Sequence, residues 1–342
     1  MQAKNINWIS DLRFVSTVGV VFLHVSATCI QATNSISAED WWTGNIYNGL
    51  FKFSVPIFVM ISGALLLSKD YPLKVFLQKR FTRILYPFLF WSLIYCAFMI
   101  FREYLLLGTM DILVAAKMVL LGLITGSFYH LWYVYMILGL YLLTPILRGW
   151  ISVTSRATIL YFLAICFLVS FRIFPEVAPY FPRVELSYFA GFIGFYVAGY
   201  YFHTFDISVS PLKLWLIFLL ITATTMVATY NSSYESGKLN EFYYAYQSPL
   251  IITSSVCIFL AFKSVNWQNR TFRKLIDAVN ENSFGIYLSH ALFIILLSQV
   301  NFNWKMVNPA IGIFIVTVVT LILAYSITWF IRKLPLGKYI SG

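Results

Sequence analysis

The chain has 342 residues, of which 60% are hydrophobic and 11% are charged, and its formal net charge is +11. A soluble domain carries about 25% charged residues, so this composition excludes an ordinary soluble protein and indicates an integral membrane protein. The positive charge forms no basic run with interleaved aromatic residues, so no nucleic-acid partner is predicted. The lipid bilayer is the expected partner of most of the surface.

Apolar segments long enough to cross a bilayer recur along the whole chain. A crossing helix needs about 20 mainly apolar residues, and this rule predicts an all-α, polytopic helical bundle of about ten transmembrane helices. The predicted segments cover residues 8–30, 45–67, 84–102, 130–148, 157–174, 187–204, 211–230, 245–263, 283–300 and 309–332. No soluble domain or repeat interrupts them, so residues 1–342 are predicted to form a single transmembrane domain.

The loops between these segments differ in their content of Lys and Arg. With the N-terminus in the cytoplasm, sixteen of these residues fall in inner segments and six in outer ones. Because cytoplasmic loops carry an excess of Lys and Arg, both termini are predicted to be cytoplasmic. The apolar stretch 110–125 contains Lys117, and a crossing there would turn the basic loops 148–156 and 263–274 outward. We therefore interpret 110–125 as an interfacial or re-entrant helix.

The first apolar segment contains two ionisable residues, Arg13 and His24. On a helix they lie within about 20° of the same face and about 16 Å apart along the axis. Both would be costly against lipid, which favours a functional site in the protein interior over two side chains with structural roles. Asp11 lies about 200° round the helix from Arg13. It is interpreted as a helix-start residue or as the partner of another helix.

Basic residues cluster where the third segment begins. Lys79, Arg80 and Arg83 either anchor the orientation of the protein or hold a phosphate-rich ligand that arrives from the cytoplasm. Pro56 and Gly63 interrupt the second segment, where ordinary helix packing explains them as well as function does.

Two further histidines lie in or near later segments. His290 lies inside the ninth segment, with Ser283 and Tyr287 on the same helical face, and an ionisable residue at that depth favours a function. His130 begins the fourth segment, where an interface anchor and a functional role are equally compatible with its position.

Taken in order, these stretches resemble the acyltransferase-3 family, which consists of membrane-embedded O-acyltransferases of bacterial surface polysaccharides. The resemblance covers nearly the whole chain, and the lack of an additional soluble domain is similar to the short members. Many members have an Arg-x-Arg pair, whereas two residues separate Arg80 from Arg83 here. The motifs that carry the resemblance are Asp11-Leu-Arg13 with ten residues before His24, Val55-Pro-Ile-Phe-Val-Met-Ile-Ser-Gly63, Lys79-Arg-Phe-Thr-Arg83-Ile, His130-Leu-Trp-Tyr and Tyr287-Leu-Ser-His290.

The resemblance implies transfer of an acyl group, with acetyl favoured, from cytoplasmic acyl-CoA to a hydroxyl group. The expected acceptor is a cell-surface polysaccharide or its lipid-linked sugar precursor, and the expected location is the inner, cytoplasmic membrane of a bacterium. Arg13 and His24 are expected to be essential. The basic motif is expected to associate with the donor, acetyl-CoA, through Lys79, Arg80 and Arg83.

The chemistry of this transfer suits histidine. A sugar hydroxyl is a weak nucleophile near neutral pH, and histidine, with an unperturbed pKa of about 6.5, can act as its general base. His24 is the predicted base, with a transient acyl carrier as the alternative role. His290 is the second candidate for proton transfer. Arg13 would hold a carboxylate or phosphate, or fix the charge of the site. No spacing typical of metal ligands occurs in the sequence, so no metal cofactor is expected.

Two functions from other classes are the alternatives to acyl transfer. A transporter or flippase for a lipid-linked or anionic sugar would also use a buried Arg and His, although no inverted repeat is visible. A membrane scaffold would leave Arg13, His24 and His290 unexplained.

Overall fold

The structure is a computed structural model that describes residues 7–171, 187–265 and 271–342. Within these ranges the regular structure is helical and no strand occurs. The α-helices are α1 Asn7–Ile30, α2 Ala38–Phe51, α3 Ser54–Leu66, α4 Leu73–Leu107, α5 Ile112–Thr125, α6 Trp132–Val153, α7 Arg156–Ser170, α8 Ser187–Thr204, α9 Pro211–Ser236, α10 Pro249–Ser264, α11 Arg273–Glu281, α12 Ser283–Gln299, α13 Pro309–Lys333 and α14 Gly337–Ile340.

Eight stretches of the described chain are helical, long and apolar enough to cross a membrane, which confirms the predicted all-α polytopic fold. The number of ten crossings and the cytoplasmic termini stay predictions. Residues 172–174 of the predicted fifth segment, together with Lys4, Arg172, Arg183 and Arg270, lie outside the described residues. The eight stretches are Asn7–Ile30, Ala38–Leu66, Leu73–Leu107, Ile112–Val153, Pro211–Ser236, Phe242–Ser264, Ser283–Met306 and Pro309–Lys333.

The second predicted segment is two helices rather than one. α2 ends at Phe51 and α3 begins at Ser54, so the helical structure is interrupted at Lys52 and Phe53. Pro56 has no N–H to donate to the carbonyl of Lys52, four residues earlier, which favours a helix start at this point. The interruption places Lys52 inside the bundle, where its residue is only 8% exposed.

Small residues allow α3 and α8 to cross closely. A Cβ at Gly63 would lie 1.8 Å from the carbonyl oxygen of Tyr196, and a Cβ at Gly199 would lie 1.9 Å from that of Met60. Neither position therefore accepts a larger residue without moving a backbone. For Gly63, this contact supports the helix-packing interpretation of its motif.

Two helices differ from the predicted segments in length. α4 begins at Leu73, before the predicted start at residue 84, so the basic motif lies on the helix and not in a loop before it. α5 is a separate helix of 14 residues. Its length of about 21 Å is less than the roughly 30 Å of a bilayer core, which agrees with the interpretation of 110–125 as a helix that does not cross.

α1 lies at the centre of the bundle. It packs against α2, α3, α10, α11, α12 and α13. Its apolar side chains at Leu12 and Val21 are at most 1% exposed. The surrounding helices therefore shield Arg13 and His24 from much of the lipid, as their chemistry requires.

Candidate active site

A cavity of about 290 Å³ lies at one end of α1, and we call it the arginine cavity because Arg13, Arg80 and Arg83 line it together with Lys69. Arg13 comes from α1 and the other two arginines from the first turns of α4, which bring them to the same space. Lys79 precedes Arg80 and does not line the cavity. The other polar side chains of the lining are Ser62, Tyr133, Tyr141, Asn280, Glu281, Ser283 and Tyr287.

The charge of the arginine cavity is strongly positive. Among the described residues, none of its four cations forms an ion pair within 4.0 Å. Glu281 is the one acidic side chain of the described lining, and its carboxylate lies 4.0 Å from Arg332. Cations without carboxylate partners in a polar cavity are suited to a ligand with phosphate groups.

Three histidines meet farther along α1, and we call His24, His130 and His290 the histidine cluster. The ring centroids of His24 and His290 are 5.0 Å apart, and those of His130 and His290 are 5.1 Å apart. His24 and His130 are separated by 6.2 Å. His130 and His290 are at most 2% exposed, whereas His24 is half-buried. The structure thus brings His290 close to His24, as expected for two members of one site. It also places His130 beside them.

Hydrogen bonds fix the orientation of two of these rings. Nδ1 of His290 lies 2.7 Å from the carbonyl oxygen of Tyr287, so this nitrogen carries the proton and Nε2 carries the lone pair of the neutral ring. Nε2 of His130 lies 3.4 Å from the carbonyl oxygen of Leu288, which leaves Nδ1 as its basic nitrogen. Neither basic nitrogen has a hydrogen-bond partner among the described residues. Both nitrogens are therefore available as hydrogen-bond acceptors for a bound group.

Tyr95 holds the histidine cluster against α12. Its hydroxyl donates to the carbonyl oxygen of Leu288 at 2.9 Å and accepts from the N–H of Leu292 at 3.1 Å. The Tyr95 ring also lies 5.4 Å from the ring of His130. This fully buried side chain fixes the spacing between α4, α12 and the 3₁₀ turn Tyr129–Leu131 that carries His130.

Two tyrosines lie between the arginine cavity and the histidine cluster. Tyr133 and Tyr287 both line the cavity, and their ring centroids are 5.4 Å apart. On its other side the Tyr287 ring lies 5.4 Å from His130 and 6.0 Å from His290. The Tyr287 hydroxyl donates a hydrogen bond to the carbonyl oxygen of His130. The Tyr287 ring therefore lies in contact with both the arginine cavity and the histidine cluster.

Lys52 is a further buried cation, and it lies within the second predicted segment. Its Nζ lies 4.8 Å from the centroid of the Tyr244 ring and 5.4 Å from that of Tyr246. Glu241 is 3.9 Å away and its side chain is 56% exposed. The signal in the sequence was a lysine inside an apolar segment, which is costly without a partner or function.

Asp11 is the partner of another helix, which confirms one of its two predicted roles. Its Oδ1 accepts a hydrogen bond of 2.7 Å from Nη2 of Arg273 on α11. The Asp11 side chain is 9% exposed and that of Arg273 is 25% exposed. This ion pair fixes α11 against α1. The last two residues of α11, Asn280 and Glu281, line the arginine cavity.

Two comparisons with known proteins found similarity over nearly the whole chain. A family model described as an acyltransferase domain, that of the acyltransferase-3 family, matches residues 6–329. The chain is also similar to a protein of Bacillus subtilis (strain 168) named "Putative membrane-bound acyltransferase YfiQ", with 24% identity over 361 aligned residues. That alignment covers 100% of this chain and 95% of the relative. No solved structure matches.

Proposed function

Since the chain belongs to the acyltransferase-3 family, we propose that this membrane-bound acyltransferase moves an acetyl group from cytoplasmic acetyl-CoA to a hydroxyl of a cell-surface polysaccharide or its lipid-linked sugar precursor. The observation that carries the proposal is the separation of two sites along α1 and α12. Four cations that form no ion pair within the described part of the chain line a cavity on one side of Tyr287, and three histidines lie on its other side.

The arginine cavity is the proposed donor site. CoA carries a pyrophosphate and a further phosphate at one end and its thioester at the end of the extended pantetheine arm. Arg13, Arg80 and Arg83 would bind the phosphates through charge-assisted hydrogen bonds. Lys69 adds a fourth charge, and Lys79 on the adjoining surface of α4 would attract the anion without lining its site. The arm would then direct the thioester toward the tyrosines and the histidine cluster.

The histidine cluster is the proposed site of transfer. His24 would accept the proton of the sugar hydroxyl while the sugar oxygen attacks the thioester carbonyl carbon. A new C–O bond forms, the C–S bond breaks, and the CoA thiolate takes a proton from the histidines. His290, 5.0 Å from His24, is placed to share this proton. A transient acyl group on His24 is the alternative course: a nitrogen of His24 attacks the thioester carbon, the C–S bond breaks and the CoA thiolate leaves with the ring proton. The sugar hydroxyl then attacks the acyl carbon, the C–N bond breaks and the hydroxyl proton returns to the ring.

The proposed orientation follows from the position of the cations. Arg80 and Arg83 belong to the basic inner segments, so the arginine cavity would open to the cytoplasm, where acyl-CoA is found. Arg13 and Gly342 line the same cavity, which places the start of α1 and the end of the chain on that side of the bundle. In a bacterium, a membrane protein with its donor site open to the cytoplasm would lie in the cytoplasmic membrane, which is the proposed location.

Acetyl transfer from labelled acetyl-CoA tests the proposal. Membranes that contain the protein should place label in polysaccharide or lipid-linked sugar, and membranes from a strain without it should not. A purified, folded protein that binds acetyl-CoA but releases no CoA when its host's carbohydrate is added would refute acetyl transfer to sugar. Transport of the sugar without any labelled ester would instead identify a carrier.

A further inference from the structure

A second cavity, of about 250 Å³, lies between α1, α12 and the start of α13. We call it the far cavity, and its polar lining consists of Thr28, Ser298, Asn303 and Lys305 beside the ring-bearing residue Trp304. Neither the family nor the arrangement of the donor site gives it a role. Its position relative to the histidines suggests one.

The far cavity lies beyond the histidine cluster when both helices are followed from the arginine cavity. Along α1, Arg13 lines the arginine cavity, His24 belongs to the cluster and Thr28 lines the far cavity. Along α12 the same order is Ser283, His290 and Ser298. α1 and α12 therefore run in the same direction, and the histidines separate two cavities.

Helix geometry places the far cavity close to the reacting groups. Thr28 lies one turn beyond His24, about 6 Å along the axis and about 40° round it. Ser298 lies about 12 Å beyond His290 and about 80° round α12. Val25, the residue after His24, lines the far cavity, so a ligand there would lie next to the turn of α1 that carries His24.

We propose that the far cavity binds the sugar unit whose hydroxyl receives the acyl group, an inference that rests on the proposed function. Hydroxyl, amide and ammonium groups that line a cavity can hydrogen-bond the hydroxyls of a carbohydrate, and the four polar side chains of the far cavity supply all three kinds. The Thr28 hydroxyl donates to the carbonyl oxygen of Val25 at 2.7 Å and keeps its lone pairs for a sugar hydroxyl. Asn303 accepts from the N–H of Lys305 through Oδ1 and keeps its NH₂ group.

The charge of the two cavities distinguishes donor from acceptor. The far cavity has one cation, Lys305, whose Nζ lies 5.2 Å from the centroid of the Trp304 ring. The arginine cavity has four. A nucleotide with several phosphates fits the latter, and a neutral or singly charged sugar fits the former.

Filling the far cavity is the first test. Ala32 lines it, and Ala32→Phe should lower labelled acetyl transfer from acetyl-CoA to polysaccharide at least about tenfold, while acetyl-CoA binding changes less than about twofold. Ala164→Phe is the matched control, because Ala164 lines a different cavity of about 310 Å³ between α7, α8 and α10. The acceptor in both assays is a set of soluble fragments of the host's own surface polysaccharide.

A milder variant keeps the test valid if Ala32→Phe does not fold. Thr28→Val combined with Lys305→Gln should raise the KM for the same fragments at least about fivefold and leave the KM for acetyl-CoA unchanged. Wild-type kinetics in this variant, or an equal loss of donor binding in Ala32→Phe, would overturn the inference. Wild-type protein that places no label in carbohydrate would overturn the proposed function itself and the inference with it.

Discussion

His24 of α1 and His290 of α12 face each other with ring centroids 5.0 Å apart, although 266 positions separate them in the chain. The carbonyl of Tyr287 fixes the tautomer of His290, and the ring of His24 forms no hydrogen bond with the described residues. His24 is thus the ring of the pair whose nitrogens are both available to a substrate. This difference makes His24 the proposed base and His290 its proton partner.

Replacing His24 should remove turnover and leave the donor site intact. A general base contributes about 10²–10⁴-fold to rate, so His24→Ala should cost at least this factor in kcat. His24→Gln keeps hydrogen bonding without a useful base and should be nearly as inactive. Acetyl-CoA binding should survive in both, because the phosphate contacts are assigned to the arginine cavity. Acetyl transfer, donor binding and melting temperature are measured on the same three proteins.

Two outcomes would contradict this assignment. Near wild-type transfer by His24→Gln would exclude His24 as the base. A fall in melting temperature that matches the loss of activity in His24→Ala, with rescue by Gln, would show a structural role.

Removing the arginines should weaken binding of the donor acetyl-CoA and leave binding of the acceptor unchanged. Arg80→Ala and Arg83→Ala should each raise the KM for acetyl-CoA at least about tenfold, because a charge-assisted hydrogen bond is worth roughly 1.5–3 kcal/mol. Lys74→Ala is the control, since Lys74 is an exposed cation of the same helix outside the cavity. Unchanged donor kinetics in well-inserted arginine variants would remove these residues from the donor site. Inverted topology would favour an anchoring role.

Helix periodicity was sufficient to place Arg13 and His24 at two depths on one face, because the rise and rotation per residue of an α-helix are nearly constant. The family resemblance associated the basic motif on α4 with acyl-CoA, and only the structure places Arg13 in the same cavity as Arg80 and Arg83. No periodicity within one helix could connect His130 to this site. His130 lies in a 3₁₀ turn whose approach to α12 depends on tertiary contacts with Tyr95 and Leu288.

Two cations were missed for a related reason. Lys69 lies between α3 and α4, and the count of inner charges treated it only as part of the orientation signal. Lys52 lies at the interruption between α2 and α3, whereas the sequence predicted one continuous segment there. In both cases the position of the residue in space depends on how two helices meet. The residue pattern of one segment carries no information about how that segment packs against another helix.

The predicted topology can be measured directly on intact cells. The four native cysteines are buried, so replacing them with alanine gives a background for single-cysteine variants. Glu39→Cys and Lys238→Cys lie in the predicted outer loops 31–44 and 231–244 and should react with an impermeant reagent. Lys338→Cys, in α14 next to the first turns of α4, should react only after the cells are opened. Labelling of Lys338→Cys in intact cells would contradict the cytoplasmic position of the donor site.

The ion pair of Asp11 with Arg273 should stabilise the protein. Asp11→Ala removes a 2.7 Å charge-assisted hydrogen bond at a side chain only 9% exposed and should lower the free energy of unfolding by about 1–3 kcal/mol. Asp277→Ala is the matched control, because Asp277 faces the same Arg273 at 3.9 Å but is 53% exposed. That change should cost less than about 0.5 kcal/mol. Thermal inactivation in detergent compares the two variants, and equal effects would show that burial does not strengthen the inner pair.

Removing the hydroxyl of Tyr287 should lower turnover through the position of His130. The hydroxyl donates to the carbonyl oxygen of His130, and the ring contacts the histidines on one side and the arginine cavity on the other. Tyr287→Phe keeps the ring and loses a hydrogen bond worth about 0.5–1.5 kcal/mol, so kcat should fall about twofold to tenfold while the KM for acetyl-CoA stays constant.

Tyr133→Phe provides the comparison for this effect. Tyr133 lines the same cavity and packs against Tyr287, but its hydroxyl forms no hydrogen bond with the histidine cluster among the described residues. Its kcat should therefore remain close to that of wild type. Steady-state kinetics at saturating acceptor separates kcat from the KM for the donor in both variants. Equal losses in the two variants would mean that the hydroxyls act on the bound donor in the cavity and not on the histidine beyond it.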